Sequence, residues 1–167
     1  MSAADASLRT IAVDRIEEAL GGVRLFEGMS SEALRRVAAI ASEETLPKGS
    51  VLFREGDVGD KLYLLLEGKV RISRNLGGMG EEALAIIGPG EAFGEMALIE
   101  DAPRSADGYT HEDCRLLSIS REEFEDLLFI HKDLAYEILW NCVKLQSKRL
   151  REANDKLALL SSSSRFG

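Results

Sequence analysis

The sequence predicts a mainly β domain, a sandwich or small barrel, with helices at both ends. Six short segments of strand character follow one another between residues 50 and 119, at short and even spacing. Apolar residues recur at helical spacing before and after that run. A chain of 167 residues, 45% of them hydrophobic and 30% charged, is long enough for one such domain with its own core.

Two helices are predicted before the strands. Residues 1–23 comprise a loose polar tail and a helix that begins near Ile11 and ends at Gly21-Gly22. Ser30 is a natural N-cap for the second helix, because its hydroxyl can accept a hydrogen bond from a free backbone N–H. The apolar face of the first helix comprises Val13, Ile16 and Leu20, and that of the second comprises Leu34, Val37, Ala38 and Ala41.

The predicted strands occupy the central segment, residues 24–133, together with their flanking helices. Turn signals such as Pro47-Lys48-Gly49, Glu67-Gly68 and Pro89-Gly90 separate them. The predicted strands are residues 50–54, 61–66, 69–74, 82–87, 106–110 and 114–119.

Helices are predicted again after the last strand. Ser120 and Glu123 form a capping box, and a bend is expected at residues 131–133. A helix over residues 134–160 would be about 40 Å long at ~1.5 Å per residue, which is more than a barrel of this size can cover. We therefore expect part of it to contact something outside its own domain, and residues 161–167 to form a frayed tail.

The long helix carries a seam of coiled-coil type. Its members step by four and three residues, with one polar interruption that would fix the register: Leu139, Val143, Gln146, Leu150, Ala153, Leu157 and Leu160. The alternative is a helix that packs along its own barrel, which we expect for the first two turns near Leu139. Beyond Leu150 the pattern predicts a parallel homodimer.

The candidate binding site lies in residues 93–106. Gly94 allows close backbone approach, and a helix that starts after it would present the free N–H groups of Met96 and Ala97 to an anion. Ionised Glu95 can only accept hydrogen bonds, which suits a sugar hydroxyl, and fork-shaped Arg104 suits phosphate oxygens. These residue types fit a small ribose phosphate. The alternative is a surface ion pair between Glu95 and Arg104, which would contribute about 0–1 kcal/mol.

Residues 93–106 resemble the phosphate-binding cassette of the cyclic nucleotide-binding domains, as found in the bacterial catabolite activator protein and in kinase regulatory subunits. Residues 54–57 and 65–70 are also similar to that family, so the likeness covers about residues 24–150. The resemblance implies a β jelly roll. It also implies that Glu95 binds the ribose 2′-hydroxyl, that Arg104 binds an exocyclic phosphate oxygen, and that Ser105 lies beside the phosphate and the base. Trp140 would either pack against the barrel or cover the nucleotide base. Arg149, where this sequence departs from the hydroxyl side chains of the activators, would be the other base contact.

The resemblance implies a regulatory sensor of cAMP or cGMP that acts on a partner protein through its C-terminal helices. The catabolite activators carry a DNA-binding domain after the long helix, whereas this sequence stops at Gly167, and its net charge of −8 disfavours nucleic acid as a partner. The competing hypothesis from another class is a dimerisation or adaptor module whose nucleotide pocket is vestigial.

Other function classes lack their signals in the sequence. No nucleophile and histidine base form a recognisable arrangement, and His111 and His131 lie far apart without clustered carboxylates, so we expect neither an enzyme nor a metal site. No apolar run approaches the ~20 residues that cross a bilayer. Two cysteines and no signal peptide predict a cytoplasmic protein.

Overall fold

The computed structural model of the chain describes residues 13–75, 80–96 and 102–163, with the side chains of residues 160–163 left out of the description. Within these residues, eight strands form two four-stranded sheets in which every neighbouring pair is antiparallel. The strands are β1 (Ala41–Leu46), β2 (Val51–Phe53), β3 (Lys61–Glu67), β4 (Val70–Asn75), β5 (Glu81–Ile87), β6 (Ala92–Phe93), β7 (Asp107–Thr110) and β8 (Cys114–Ser120). One sheet has the order β1-β8-β3-β6 and the other β2-β7-β4-β5. The predicted mainly β jelly roll is confirmed.

Helices flank the two sheets in the order that the sequence predicts. They are α1 (residues 13–21), a 3₁₀ turn (Arg24–Phe26), α2 (Ser31–Ala38), α3 (Arg121–Ile130) and α4 (Lys132–Ser163). Both predicted N-caps are confirmed: the hydroxyl of Ser30 accepts from the N–H of Ala33 at 3.2 Å, and that of Ser120 accepts from the N–H of Glu123 at 3.3 Å. These bonds satisfy N–H groups that have no partner inside the helix.

The helices of both ends share one apolar core with the sheet β1-β8-β3-β6. Ile16 and Leu20 of α1 meet Leu134 and Ile138 of α4 in a cluster that also contains Leu62, Leu64, Leu117 and Ile119 of the sheet. A second cluster lies around Tyr63, Leu65, Phe93 and Leu116. Burial of this apolar surface at ~25 cal/mol per Å² is the main force that holds α4 against the barrel.

Several predicted boundaries are corrected by the structure. Ala41 does not extend the face of α2; it begins β1, which pairs with β8 from Ala41 opposite Ile119 to Leu46 opposite Cys114. The short strand β6 was not predicted either. Helix α4 begins at Lys132 rather than at residue 134, and residues 161–163 are helical rather than part of a tail. The predicted start near Ile11 lies outside the described residues.

The face on which α4 packs also differs from the prediction. Leu139 is 50% exposed, whereas Leu134, Ile138 and Cys142 are buried in the core. The first turns of the helix therefore do pack on the barrel, but through a different stripe from the predicted seam. Leu139, Val143, Leu150 and Leu157 remain on an exposed side of α4. Among the described helices, none combines the length and the apolar character needed to cross a membrane.

Candidate functional site

A cleft of about 700 Å³ opens between the sheet β2-β7-β4-β5 and the second half of α4. Strand β5 contributes residues 84–87 to one wall, residues 93–96 and 102–106 form another, and α4 covers it with side chains between Leu145 and Leu157. Five of the six predicted ligand-binding residues line this cleft: Gly94, Glu95, Met96, Arg104 and Ser105. The sixth, Ala97, lies outside the described residues.

Gly94 occupies a position that only glycine suits. Its φ of +80° is in the left-handed region, and a Cβ built there would lie 2.6 Å from Nη1 of Arg104 and 3.2 Å from the carbonyl oxygen of Lys61. L side chains are strained at such φ values, and these distances leave no room for one. The missing side chain therefore creates the space that the Arg104 guanidinium occupies.

Arg104 is 5% exposed and is held in a fixed orientation at the base of the cleft. Nη1 donates to the carbonyl oxygen of Gly94 at 2.9 Å, and Nη2 donates to that of Lys61 at 2.7 Å. The guanidinium carbon lies 4.5 Å from the centroid of the Phe53 ring, a cation–π distance. Nε finds no hydrogen-bond partner among the described residues. Because buried donors are normally paired, this N–H is available to donate a hydrogen bond to a ligand.

The backbone of Arg104 is anchored by the turn that follows β2. Its N–H donates to the carbonyl oxygen of Asp57 at 2.8 Å, and its own carbonyl accepts from the N–H of Gly56 at 2.8 Å. The Asp57 carboxylate in turn accepts from the N–H of Arg54 at 2.8 Å. The segment 54–57, which resembles the family in sequence, thus positions the arginine of the cassette.

Burial lowers the pKa of Arg104 from its ordinary value, and Tyr63, Asp60, Asp57 and Glu95 act in the opposite direction through their charges. The guanidinium nevertheless keeps its proton, since arginine is not deprotonated in proteins. No carboxylate among the described residues lies within ion-pair distance of it. A buried cation without a bonded anion is costly, so this position favours an anionic ligand.

Glu95 is 8% exposed and is bonded to α4 rather than to Arg104. Its Oε1 accepts from Nε2 of Gln146 at 2.6 Å and from Nη1 of Arg149, while Nη2 of Arg149 donates to the carbonyl oxygen of Ala92 at 2.8 Å. The alternative of a surface ion pair between Glu95 and Arg104 is therefore wrong. Oε2 receives no hydrogen bond from the described residues.

The remaining predicted residues are placed as follows. Met96 is helical and half exposed, and Ser105 is exposed at the cleft. Arg149 lines the cleft. Trp140 is 54% exposed and does not belong to the cleft wall; the Lys144 ammonium lies 5.8 Å from its ring centroid.

Sequence reasoning missed three contributors to the site. Gln146 was assigned to the coiled-coil seam, but its side chain bonds to Glu95. Helix α4 packs on the core through Ile138 and Cys142, and this packing places Gln146 on the side of the helix that meets Glu95. A polar residue three positions before Arg149 was the available signal, since such residues share a helix face. Phe53 and the carbonyl of Lys61 had no signal, because their role depends on contacts with a distant part of the chain.

The described residues contain no group of three or more histidine, cysteine or acidic side chains arranged to hold a metal ion. The buried polar groups at the cleft are instead one guanidinium, that of Arg104, and one carboxylate, that of Glu95, and both line the same cavity. This set suits a ligand that presents an anion and a hydroxyl group.

The fold and the site define a jelly-roll domain with a cleft suited to an anionic ligand. A family model described as "Cyclic nucleotide-binding domain" matches residues 43–131, which is more than half of the chain. The chain belongs to the cyclic nucleotide-binding domain family. The family is regulatory rather than catalytic, and it includes transcriptional regulators of the catabolite activator type and regulatory subunits of protein kinases.

Three relatives illustrate the match. The chain is 39% identical over 140 residues to the "Cyclic AMP receptor protein" of Thermus thermophilus, with 84% of this chain and 63% of that protein covered. A crystal structure of a cyclic nucleotide-binding domain from Methylobacillus flagellatus has a TM-score of 0.76 at 29% identity and covers 86% and 81% of the two chains. The regulatory domain of Toxoplasma gondii PKA with cAMP has a TM-score of 0.70 at 25% identity, with 86% and 51% covered. The chain thus spans less than two thirds of its Thermus relative.

Proposed function

We propose that this chain is a sensor domain for a cyclic nucleotide, cAMP or cGMP, and that it regulates a partner protein. One observation carries the proposal: Arg104 is buried at the cleft with its Nε unbonded by the described residues, and the similarly buried Glu95 lines the same cleft. A cyclic phosphate supplies the anion that this guanidinium lacks, and the neighbouring ribose supplies a hydroxyl donor for the carboxylate.

Each predicted ligand-binding residue has a role in this proposal. Arg104 binds an exocyclic phosphate oxygen, and the N–H groups of Met96 and Ala97 bind the others. Glu95 accepts from the ribose hydroxyl through Oε2, and Gly94 leaves the backbone accessible. Ser105 lies beside the phosphate and the base. Arg149, which lines the cleft, is the proposed base contact, and the proposal does not extend to Trp140, whose ring lies outside the cleft wall.

The relatives support cAMP over cGMP as the ligand. The Thermus protein is named as a cyclic AMP receptor, and the Toxoplasma structure is described with cAMP. The two cysteines, Cys114 and Cys142, are free and buried, which supports the reducing environment of the cytoplasm as the site of action.

The proposed output passes through α4. Glu95 contacts the cleft and, through Gln146 and Arg149, the helix that leaves the barrel. A ligand bound to Glu95 therefore changes the environment of the helix directly. Switching a population from almost entirely one state to almost entirely the other requires a preference of about 5.5 kcal/mol for one state, which several charge-assisted hydrogen bonds can supply.

The exposed seam of α4 supports a homodimer as part of the proposal. Leu139, Val143, Leu150 and Leu157 are exposed, lie on one side of the helix and follow the spacing of a parallel coiled coil. Pairing with the same helix of a second copy would bury these side chains. Gln146 is excluded from this seam by its bond to Glu95.

Calorimetric titration with cAMP and with cGMP tests the proposal. We expect micromolar or tighter binding of one of them, and at least about 100-fold weaker binding by Arg104→Ala, which corresponds to ~2.7 kcal/mol from lost charge-assisted bonds. Arg74→Ala, which removes an exposed arginine on β4, is the matched control and should bind as the wild type does. Circular dichroism verifies that each variant is folded. If Arg104→Ala does not fold, Glu95→Gln serves as a second variant for the binding test.

The competing hypothesis, a dimerisation or adaptor module with a vestigial pocket, predicts a different outcome. The protein would then show neither heat nor thermal stabilisation with either nucleotide. Arg104→Ala and Glu95→Gln would leave its self-association unchanged.

A further inference from the structure

Asn141 joins α4 to the 3₁₀ turn at the other end of the sequence. Its Nδ2 donates to the carbonyl oxygens of Leu25 at 3.1 Å and of Glu27 at 3.0 Å. These acceptors belong to the end of the turn, where carbonyls have no partner of their own. One side-chain amide therefore satisfies two backbone groups that lie more than 100 positions away in the sequence.

The same turn is bonded to the connection between β5 and β6. The N–H of Arg24 donates to the carbonyl oxygen of Gly90 at 3.0 Å, and its guanidinium lies 3.6 Å from the Glu91 carboxylate. Gly90 has φ +79°, and a Cβ there would lie 2.8 Å from the carbonyl oxygen of Gly22. The turn and this connection are thus in close contact, and the connection leads directly into β6 and the binding site.

Helix α4 is therefore attached at two places to the segment that consists of the β5–β6 connection and strand β6. Arg149 reaches it directly through the carbonyl of Ala92, and Asn141 reaches it through the turn and Gly90. The two attachment points lie eight residues apart, about 12 Å along a helix axis. Two directional bonds at separate points determine the orientation and axial position of a rigid rod, whereas apolar packing alone is non-directional.

We infer that Asn141 is a positioning residue for the nucleotide site: it sets the axial position at which Gln146 and Arg149 meet Glu95. With Oε1 of Glu95 held by α4, the carboxylate keeps its place in the wall of the cleft. Loss of the Asn141 amide lets the helix shift, and both the Glu95 contact and the ligand site lose their alignment. The part of the inference that concerns affinity rests on the proposed function.

A double-mutant cycle measured without nucleotide tests the positioning role. Asn141→Ala, Arg149→Ala and the double variant are compared by urea unfolding. Sites more than 7–10 Å apart without a shared partner normally contribute additively. We expect instead that Arg149→Ala lowers the ratio of folded to unfolded protein about tenfold in the wild-type background, ~1.4 kcal/mol, and less than about twofold in the Asn141→Ala background. Additive effects would overturn the inference.

Nucleotide affinity is the second readout. Asn141→Ala should bind the nucleotide about tenfold more weakly than the wild type, and the isosteric Asn141→Asp, which replaces the donor by an acceptor, should bind no better. Ser147→Ala, at an exposed position of the same helix, is the matched control and should bind normally. Equal affinity of Asn141→Ala and wild type would overturn the role in binding. A wild type that binds no nucleotide refutes the proposed function, and the unfolding cycle still decides the positioning role.

Discussion

Replacement of Gly94 by alanine tests whether the space at this position determines how Arg104 is held. An alanine at φ +80° costs about 1–2 kcal/mol in the left-handed region. Its Cβ would also lie 2.6 Å from Nη1 of Arg104, so the guanidinium must move away from its carbonyl partners. Hydrogen bonds to charged groups contribute about 1.5–3 kcal/mol each.

Gly28 offers a matched control for the backbone cost. Its φ is +79°, and a Cβ there meets nothing within 4 Å. Gly28→Ala should therefore lose only about 1–2 kcal/mol of unfolding free energy, whereas Gly94→Ala should lose about 3–5 kcal/mol because at least one bond of Arg104 is lost as well.

Chemical denaturation and thermal melting measure this difference. At ~2–4 °C per kcal/mol for a chain of this size, we expect Tm to fall by about 4 °C in Gly28→Ala and by about 10 °C in Gly94→Ala. Gly94→Ala should also bind the nucleotide more weakly. Equal losses of stability in the two variants would refute the claim that Arg104 occupies the space that glycine leaves.

Two further predictions concern the dimer and the pH dependence of stability. Leu150→Glu places a charge in the exposed seam of α4. The variant should sediment as a monomer where the wild type sediments as a dimer, and the stability of the protomer should change by less than about 0.5 kcal/mol because the site is exposed. A variant that still forms the dimer would exclude this seam as the interface. Arg115 and Arg15 hold the folded-state pKa of Glu43 below its ordinary value of 4.5, so its stabilising contribution is complete above that pH and is lost as the pH falls through the folded-state pKa. Wild type and Glu43→Gln should therefore converge in unfolding free energy on acidification, and a constant difference would contradict the pairing.

Sequence reasoning succeeded where the signal is local. The N-caps at Ser30 and Ser120 depend on a side chain and an N–H three residues away, and both were found where predicted. Strands β3, β4, β5 and β8 lie within one residue of their predicted bounds, because turn signals that contain glycine or proline mark where the strands begin and end. The order of Gly94, Glu95 and Arg104 identified the cleft because these three residues lie within eleven positions of one another.

The failures share a different physical cause. Strand β1 is polar and only half buried, so its extended conformation follows from the ladder it forms with β8 rather than from its own pattern. Strand β6 has two residues, too few for any period. Leu139, Val143, Leu150 and Leu157 of the predicted seam are exposed, but the sequence could not show which stripe of α4 packs on the barrel, because Ile138 and Leu139 are equally apolar.

By itself, the sequence determined most of the helices and strands, both N-caps, the family and three residues of the cleft, Gly94, Glu95 and Arg104, because these depend on neighbours within a few positions. Only the tertiary structure decided what those residues contact. Gln146 and Arg149 meet Glu95 from 51 and 54 positions away, and Asn141 meets Leu25 from 116 positions away. Such contacts follow from the face that α4 turns toward the barrel when Leu134, Ile138 and Cys142 pack into the core. That orientation depends on the whole packed core, which no local pattern along the helix can specify.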